Sequence, residues 1–425
     1  MAIDFRLQVK YNQIQAKYQG HFSKPVGTFL RQLTYGILKS GHVHLSKIAR
    51  GLNESISLKK TWERLSRHIG RPALWAEVTE AHVQENRRAF RAKDYWVLDL
   101  TDVRKMYAKA MEGLGGIHDG STGECGRGYW VVNVAGVSPR SKEISLMYSE
   151  LYSLVHEEEK KESENSKVLA AVSCLREKLG VSRPVVIDRG GDRRVLIENF
   201  LQNKQQFIIR QRGDRHIYNG SENIRLDEYA QTIDCVFDKT VQKIRHCKMQ
   251  LTRFRGGARR VWFPKEHTDG VFEKALWLVR LTRKRGQAES WYLCDIPAET
   301  EEEAFETVIE GYGSRWTIEE VHRQIKTDYH LEAVQLQRYQ ALKNFNAIFW
   351  TSMNFLYQHL EGLCIDLIMH CEEQLSYKLS IYDVTGFMYY KLSRAVQLIF
   401  RKHKLNNFIR RHPCKSAAQL QLALE

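Results

Sequence analysis

"DYWVLDLTD", residues 94–102, is a run of aromatic and branched apolar residues that closes on a carboxylate, Asp99, with a second one three positions later at Asp102. The composition predicts a β-strand. A carboxylate at the end of a buried strand is costly unless hydrogen bonds or a cation compensate it. Reading outward, "GYWVVNVAGVS" (128–138) and "EISLMYSELYSL" (143–154) predict two further strands. Glycines 113, 115, 116, 120, 123, 126 and 128 mark a loop between the first and second. The charged run "HEEEKKESENSK" (156–167) leads into a helix over about 165–179. "RPVVID" then predicts a short buried strand stopping at Asp188, and "RGGD" turns into a helix over 192–202, with Asp192 as its N-cap. Strand meander, crossover helix, strand and helix together give an α/β class.

Residues 204–298 hold strand candidates in close succession: "QQFIIRQR", "DCVFDKT", "CKMQLTRF", "RRVWFPK", "ALWLVRLTRK" and "SWYLCDI". They predict a β-rich insertion. After "PAETEEEAF", whose acidic residues suit a helix N-terminus, helical pattern runs through 299–335 and on through 336–425. Residues 1–75 are helical as well. There "VHLSKIARGL" places Leu45, Ile48, Ala49 and Leu52 at helical spacing, and "LKKTWERLSRHI" repeats this with Leu58, Trp62, Leu65 and Ile69. Two short helices around a polar turn suggest a helix-turn-helix whose Lys59, Lys60, Arg64 and Arg67 reach phosphates; a solvated basic face on a helical bundle is the alternative.

The chain of 425 residues carries 65 Lys and Arg against 50 Asp and Glu, a formal charge of +15, which favours a polyanionic partner. No stretch approaches the ~18 uninterrupted apolar residues of a membrane span. The start, "MAIDFRLQVK", lacks the apolar centre of a signal peptide. A soluble cytoplasmic protein is expected, with no membrane partner. Eight cysteines without a C-x-x-C pair suggest neither a zinc site nor a disulfide framework.

Asp99 and Asp188 are candidate ligands for a hard metal ion, or simple turn caps. Asp99 is preferred to Asp102 because it ends the apolar run. A third acidic candidate lies in "YGSRWTIEEVHRQIK" (312–326). At ~100° per residue on one continuous helix, Tyr312, Arg315, Glu319 and Lys326 share a face about 60° wide, while Glu320 falls off it. An Arg315 to Glu319 salt bridge alone explains little. That orientation is worth at most ~0.5 kcal/mol. Three carboxylates holding two Mg²⁺ ions, beside cations that grip phosphates, explain more: this is the apparatus of phosphoryl transfer on nucleic acid.

With Tyr312, Arg315, Glu319 and Lys326 at the spacing Y-x2-R-x3-E-x6-K, downstream of "VLDLTD" and "VVIDRGGD", residues 94–330 resemble a DDE transposase of the "insertion sequence four" group. The resemblance implies an RNase H-like catalytic core, a mixed sheet flanked by helices over 90–203 and 299–335, interrupted by the insertion at 204–298. It implies Asp99, Asp188 and Glu319 as catalytic metal ligands for two Mg²⁺ ions, with Mn²⁺ as substitute. It makes Tyr312, Arg315 and Lys326 contacts to double-stranded DNA at the cleaved end. Trp291 would stack on a flipped base, and Arg210 would touch the transferred end. Terminal inverted repeats and target DNA are the implied partners, gripped by a homodimer paired through residues 336–425, in a bacterial cytoplasm at the nucleoid. A structure-selective nuclease or resolvase, and an inactive transposase-derived regulator, are the alternatives.

Overall fold

The run at 94–102 forms β1 (Tyr95–Arg104) in the computed structural model, which describes residues 2–405 and 408 except 119–122, 124, 160–161, 246–247, 267–269, 284–286 and 373–386. The strand reads as continuously apolar because both its faces are covered. Tyr95, Val97 and Val103 enter one core, and Trp96 and Leu98 enter another on the opposite side of the sheet. Around β1 lie β2 (Gly115–His118), β3 (Cys125–Ser138), β4 (Glu143–Tyr152), β5 (Val185–Ile187) and β6 (Phe207–Arg210). A two-stranded sheet follows, β7 (His216–Tyr218) with β8 (Asn223–Arg225). Then come β9 (Phe237–Arg245), β10 (Lys248–Val261), β11 (Leu276–Arg283) and β12 (Gln287–Asp295).

The main sheet runs β2-β3-β1-β5-β6-β12-β11-β10-β9, with β4 on the other part of β3. β3 is antiparallel to β1, whereas β5 and β6 run parallel to it, so the sheet is mixed and helices cover both sides. Helices Glu164–Leu179 and Arg194–Gln202 pack on one face; helices Glu301–Gly313, Trp316–Asp328 and Tyr339–Asn354 pack on the other. This matches the expected mixed sheet flanked by helices. The strands read as an insertion do not form a separate sheet. β12 pairs antiparallel with β6, Tyr292 opposite Arg210, and carries the core ladder outward without a break.

Local chemistry accounts for the element ends. Ser163 with Ser166, and Thr300 with Glu303, form reciprocal capping boxes at the starts of helices 164–179 and 301–313. The glycine-rich stretch, expected as a loop, contains β2. Glycine is a weak strand former, so periodicity missed it, yet Gly115 pairs with Gly128, where a Cβ would stand 2.4 Å from the Val103 carbonyl oxygen. Gly257 in β10 is tighter still: a Cβ there would lie 2.1 Å from the Asp234 carbonyl oxygen. Gly257→Ala is therefore expected to cost about 1–3 kcal/mol in urea unfolding, because backbone rather than a flexible side chain must shift.

The N-terminal helices Ile3–Gln19, Lys24–Ser40, Leu45–Leu52, Leu58–Ile69 and Leu74–Glu85 pack on one another, and Lys24–Ser40 joins them to the C-terminal helix Tyr389–Lys402. At their centre the Tyr11 ring meets Tyr35, Phe355, Phe400 and Phe408 at centroid distances of 5.6–6.1 Å. The stripe Leu45, Ile48, Ala49 and Leu52 is buried as expected. The next stripe is rotated: Leu65 and Ile69 are buried with Thr61, while Leu58 and Trp62 stand 41% and 43% exposed. Glu54 causes the rotation by accepting from Thr61 Oγ1 at 2.9 Å and Arg64 at 2.7 Å. Arg64 is thus held by a carboxylate, leaving Lys59, Lys60 and Arg67 as the basic residues of that helix turned to solvent. The aromatics of helix Tyr339–Asn354 fill the chain's own core. Among the described residues six cysteines are unpaired, three of them buried, and no helix is long and apolar enough to cross a membrane.

Candidate active site

The register of β1 and β5 brings the first two carboxylates together. Trp96 pairs with Val185 and Val97 with Val186, so two residues further on Asp99 and Asp188 stand level on neighbouring strands, on the same side of the pleat. Beyond Val97 the two strands part, and the carboxyl ends of parallel strands open into a cleft, the usual place for a site in such sheets. Asp188 also caps the turn Arg189–Gly191, its Oδ1 accepting from the Gly190 N–H at 2.7 Å. The turn-cap reading of Asp188 is thus met. Asp192 is not the N-cap of the next helix, which starts at Arg194 with Arg193 in that place. Its buried carboxylate instead accepts from the Arg212 N–H at 2.7 Å and from Arg215, tying down the loop after β6. The loop's distant basic residues outbid the local backbone for it, which sequence spacing could not reveal.

The stretch 312–326 is two helices rather than one, Glu301–Gly313 and Trp316–Asp328. At the junction the N–H groups of Ser314, Arg315, Thr317 and Ile318 each bond three residues back, and Ser314 Oγ donates to the Glu310 carbonyl at 2.9 Å. That back-bonding bends helices. Tyr312 consequently lies in the last turn of the first helix, edge-on to Tyr292 at 4.6 Å, with the Arg315 guanidinium 5.8 Å from its ring centre.

From the second helix Arg315, Glu319, His322 and Lys326 descend along β1. Arg315 is ion-paired with Glu319 and lies 3.8 Å from Asp99 Oδ1. Glu320 turns the other way, to Arg323 and, at 3.5 Å, the Tyr390 hydroxyl. Lys326 Nζ is 2.8 Å from Asp102 Oδ1 and 3.3 Å from Glu332 Oε1. Two residues absent from the sequence reading complete the wall. Asn133, directly opposite Asp99 on β3, donates to His322 Nε2 at 2.9 Å, and His322 Nδ1 faces Asp99 Oδ2 at 3.6 Å. With Nε2 accepting, the imidazole presents its proton at Nδ1 to the carboxylate. The signals were there: a lone Asn inside the apolar run "VVNVAGV", and a His three residues after Glu319 on the same helix face.

Electrostatics bear out the convergence. Burial first, and then the nearby Asp188 and Glu319, push the Asp99 carboxyl up to about 7, against the pull of Arg315. Burial, reinforced by Lys326 and Arg315, lowers His322 to about 3, so it stays neutral. Burial opposes the Arg315 charge, but Asp99, Tyr312, Glu319 and Asp188 outweigh it and raise its pKa. A donor set made of carboxylate oxygens suits a hard divalent cation. Among the described residues, however, no three His, Cys, Asp or Glu side chains stand at metal-ligand spacing. Arg315 draws Glu319 to itself and partly neutralises Asp99, which is charge relief of the kind a cation would give.

Arg210 and Trp291 lie apart from this cleft wall, on the β6–β12 pair. Arg210 donates to Ser290 Oγ at 3.2 Å. Trp291 packs on Gly213, where a Cβ would stand 2.7 Å from its ring, and its indole N–H has no hydrogen-bond partner among the described residues.

No curated protein matches the sequence. A family model does, over residues 115–355, a stretch that holds Asp188 and the whole of 312–326 and begins just after β1. Since that match takes in more than half of a chain that sets Asp99 on β1 level with Asp188 just past β5, the protein belongs to the family described as "Transposase DDE domain".

Proposed function

We propose that the chain is a cut-and-paste transposase: it binds the inverted ends of its element, hydrolyses the DNA to free a 3′-hydroxyl, and directs that hydroxyl onto target DNA. The observation that carries the reading is Arg315 set between Asp99 and Glu319, with Asp188 level with Asp99 on the neighbouring strand, in a chain of charge +15. DDE transposase domains generally use divalent metals; bound Mg²⁺ or Mn²⁺ supplies activation of the attacking oxygen and stabilisation of the leaving one. Asp99, Asp188 and Glu319 are the groups that would hold two such ions, with Glu319 turning from Arg315 toward the two aspartates. His322, oriented by Asn133, occupies one side of the Asp99 carboxylate and keeps its other oxygen toward Arg315 and the cleft.

The cations have the complementary task. A DNA phosphate offers Arg315 an alternative to Glu319, in a bidentate geometry that guanidinium matches well. Lys326 gives a point charge further along the same helix, and Tyr312 borders the pair. Trp291, with its face near a glycine and its N–H unsatisfied, is the candidate platform for a flipped base, and Arg210 the contact to the transferred strand. Lys59, Lys60 and Arg67 on the N-terminal helix would add phosphate contacts at the element end. Two protomers, one per end, would act together.

The test is an incubation with Mg²⁺, a labelled duplex from the DNA flanking the coding sequence, and a supercoiled target plasmid. Joined product is expected. Cleavage without joining would replace the reading with a nuclease, and retention without cleavage with a regulator.

A further inference from the structure

The double carboxylate of "DLTD" leaves Asp102 outside the set formed by Asp99, Asp188 and Glu319. Being three residues from Asp99 on a strand, it starts from the opposite side of the pleat and cannot line the same face. Yet it is not a surface charge. Its side chain is 14% exposed, that of Lys326 is 27% exposed, and Oδ2 is shielded from water with Arg104 Nε 3.6 Å away. β5 stops pairing with β1 at Val97, so the β5 side of β1 is uncovered where Lys326 arrives from the helix.

The second partner of Lys326 stands on a turn whose backbone is fixed. Glu332 sits in the turn Leu331–Ala333, and Lys105, just past the end of β1, clamps that turn by donating to the carbonyls of Glu332 and Val334. Both carboxylates are thus mounted on one frame, β1 and the turn bound to it. A lysine on its four-carbon stem is ordinarily a mobile point charge. Here one N–H is directed to Asp102 at 2.8 Å and Glu332 adds an ion pair at 3.3 Å, so the ammonium is held in place and still has donors for a further acceptor.

We infer that Asp102, assisted by Glu332, is a positioning residue that pre-orders Lys326 for a DNA phosphate, and that Asp102 is not a metal ligand. The inference rests on the reading of Lys326 as a DNA contact. It explains why two carboxylates follow one another at the end of β1: one serves the cleft and the other serves the lysine.

The experiment compares the full chain with Asp102→Asn, Lys326→Ala, the double variant and Asp102→Glu, in binding to the flanking-DNA duplex over a salt series and in cleavage over a Mn²⁺ series. Asp102→Asn and Lys326→Ala are each expected to weaken binding several-fold and to lower the log-affinity against log-salt slope by about one contact. The double variant should be no worse than either, because the two act as one unit. Asp102→Glu should restore the slope, which a loss of fold would not permit. Additive losses, an unchanged slope, or a raised Mn²⁺ requirement in Asp102→Asn would overturn the inference. Should Asp102→Asn fail to fold, Glu332→Gln takes its place, with the same slope change expected. A wild-type chain that binds but does not cleave defeats the transposition reading alone, since the coupling is read in binding.

Discussion

Glu319→Gln is expected to abolish the proposed cleavage of the element end, by on the order of 10³-fold or more, while Glu320→Gln is expected to stay close to wild type. The contrast follows from where two adjacent carboxylates point. Glu319 shares Arg315 with Asp99, and its charge is felt at Asp99 together with that of Asp188. Replacing it with an amide removes one of three anionic oxygen donors from the site, and loss of a single well-placed electrostatic group costs ~10²–10³ in rate even where no metal is involved. Glu320 pairs with Arg323 and faces Tyr390, away from the cleft. Loss of such a pair costs ~0–1 kcal/mol of stability and no chemistry. Single-turnover cleavage at saturating Mg²⁺, with both variants checked by thermal unfolding, decides it. Equal loss in the two variants would break the assignment of Glu319.

Glu150→Ala is expected to be the most destabilising of the substitutions considered, by about 3–5 kcal/mol in urea unfolding. Glu150 lies on β4 with its side chain 4% exposed, accepting from Lys343 at 2.7 Å, Lys167 at 3.3 Å and the Tyr148 hydroxyl at 2.7 Å. It therefore joins the edge of the sheet to helices on both faces. Without it, Lys343 and Lys167, each nearly buried, face one another across a hole; among the described residues Lys343 keeps the Trp75 ring at 4.0 Å, and Lys167 keeps Glu162. Burial alone would raise the Glu150 carboxyl, but Lys343 and Lys167 outweigh it and hold it below the ordinary 4.5. The folded state thus binds this proton more weakly than the unfolded one. The associated stability is fully present above the ordinary value and disappears as pH falls through the folded one. Wild type should lose stability on acidification below about pH 4.5 more steeply than Glu150→Gln. Parallel pH profiles would count against the account.

What could be read ahead of the structure was what depends on local periodicity and on chemical type. β1, β3, β4 and β5 announce themselves as apolar runs, and Asp99 and Asp188, which close the apolar runs of β1 and β5, stand out because a carboxylate there is expensive, although β1 itself continues to Arg104. Helical spacing sets Glu319 and Glu320 on different sides, and in the structure they turn to Arg315 and Arg323 respectively, the break at Ser314 lying before both. What could not be read depends on pairing across the chain. Asn133 matters because strand register sets it opposite Asp99. Asp192 serves Arg212 and Arg215 rather than a helix end. Trp62 is turned outward by Glu54, a residue eight positions earlier. The unbroken ladder from β6 to β12 is likewise a long-range event, invisible in a list of strand candidates.

The ring of Tyr11, enclosed by Tyr35, Phe355, Phe400 and Phe408, has a consequence in time. A ribosome that adds ~5–20 residues per second produces Phe408 roughly 20–80 s after Tyr11. Throughout that interval the first helices exist without the partners that close their centre. The segment proposed to grip the element end is thus made well before the partners that close its core, and a chain interrupted before Phe400 exposes an open aromatic core to chaperones and proteases.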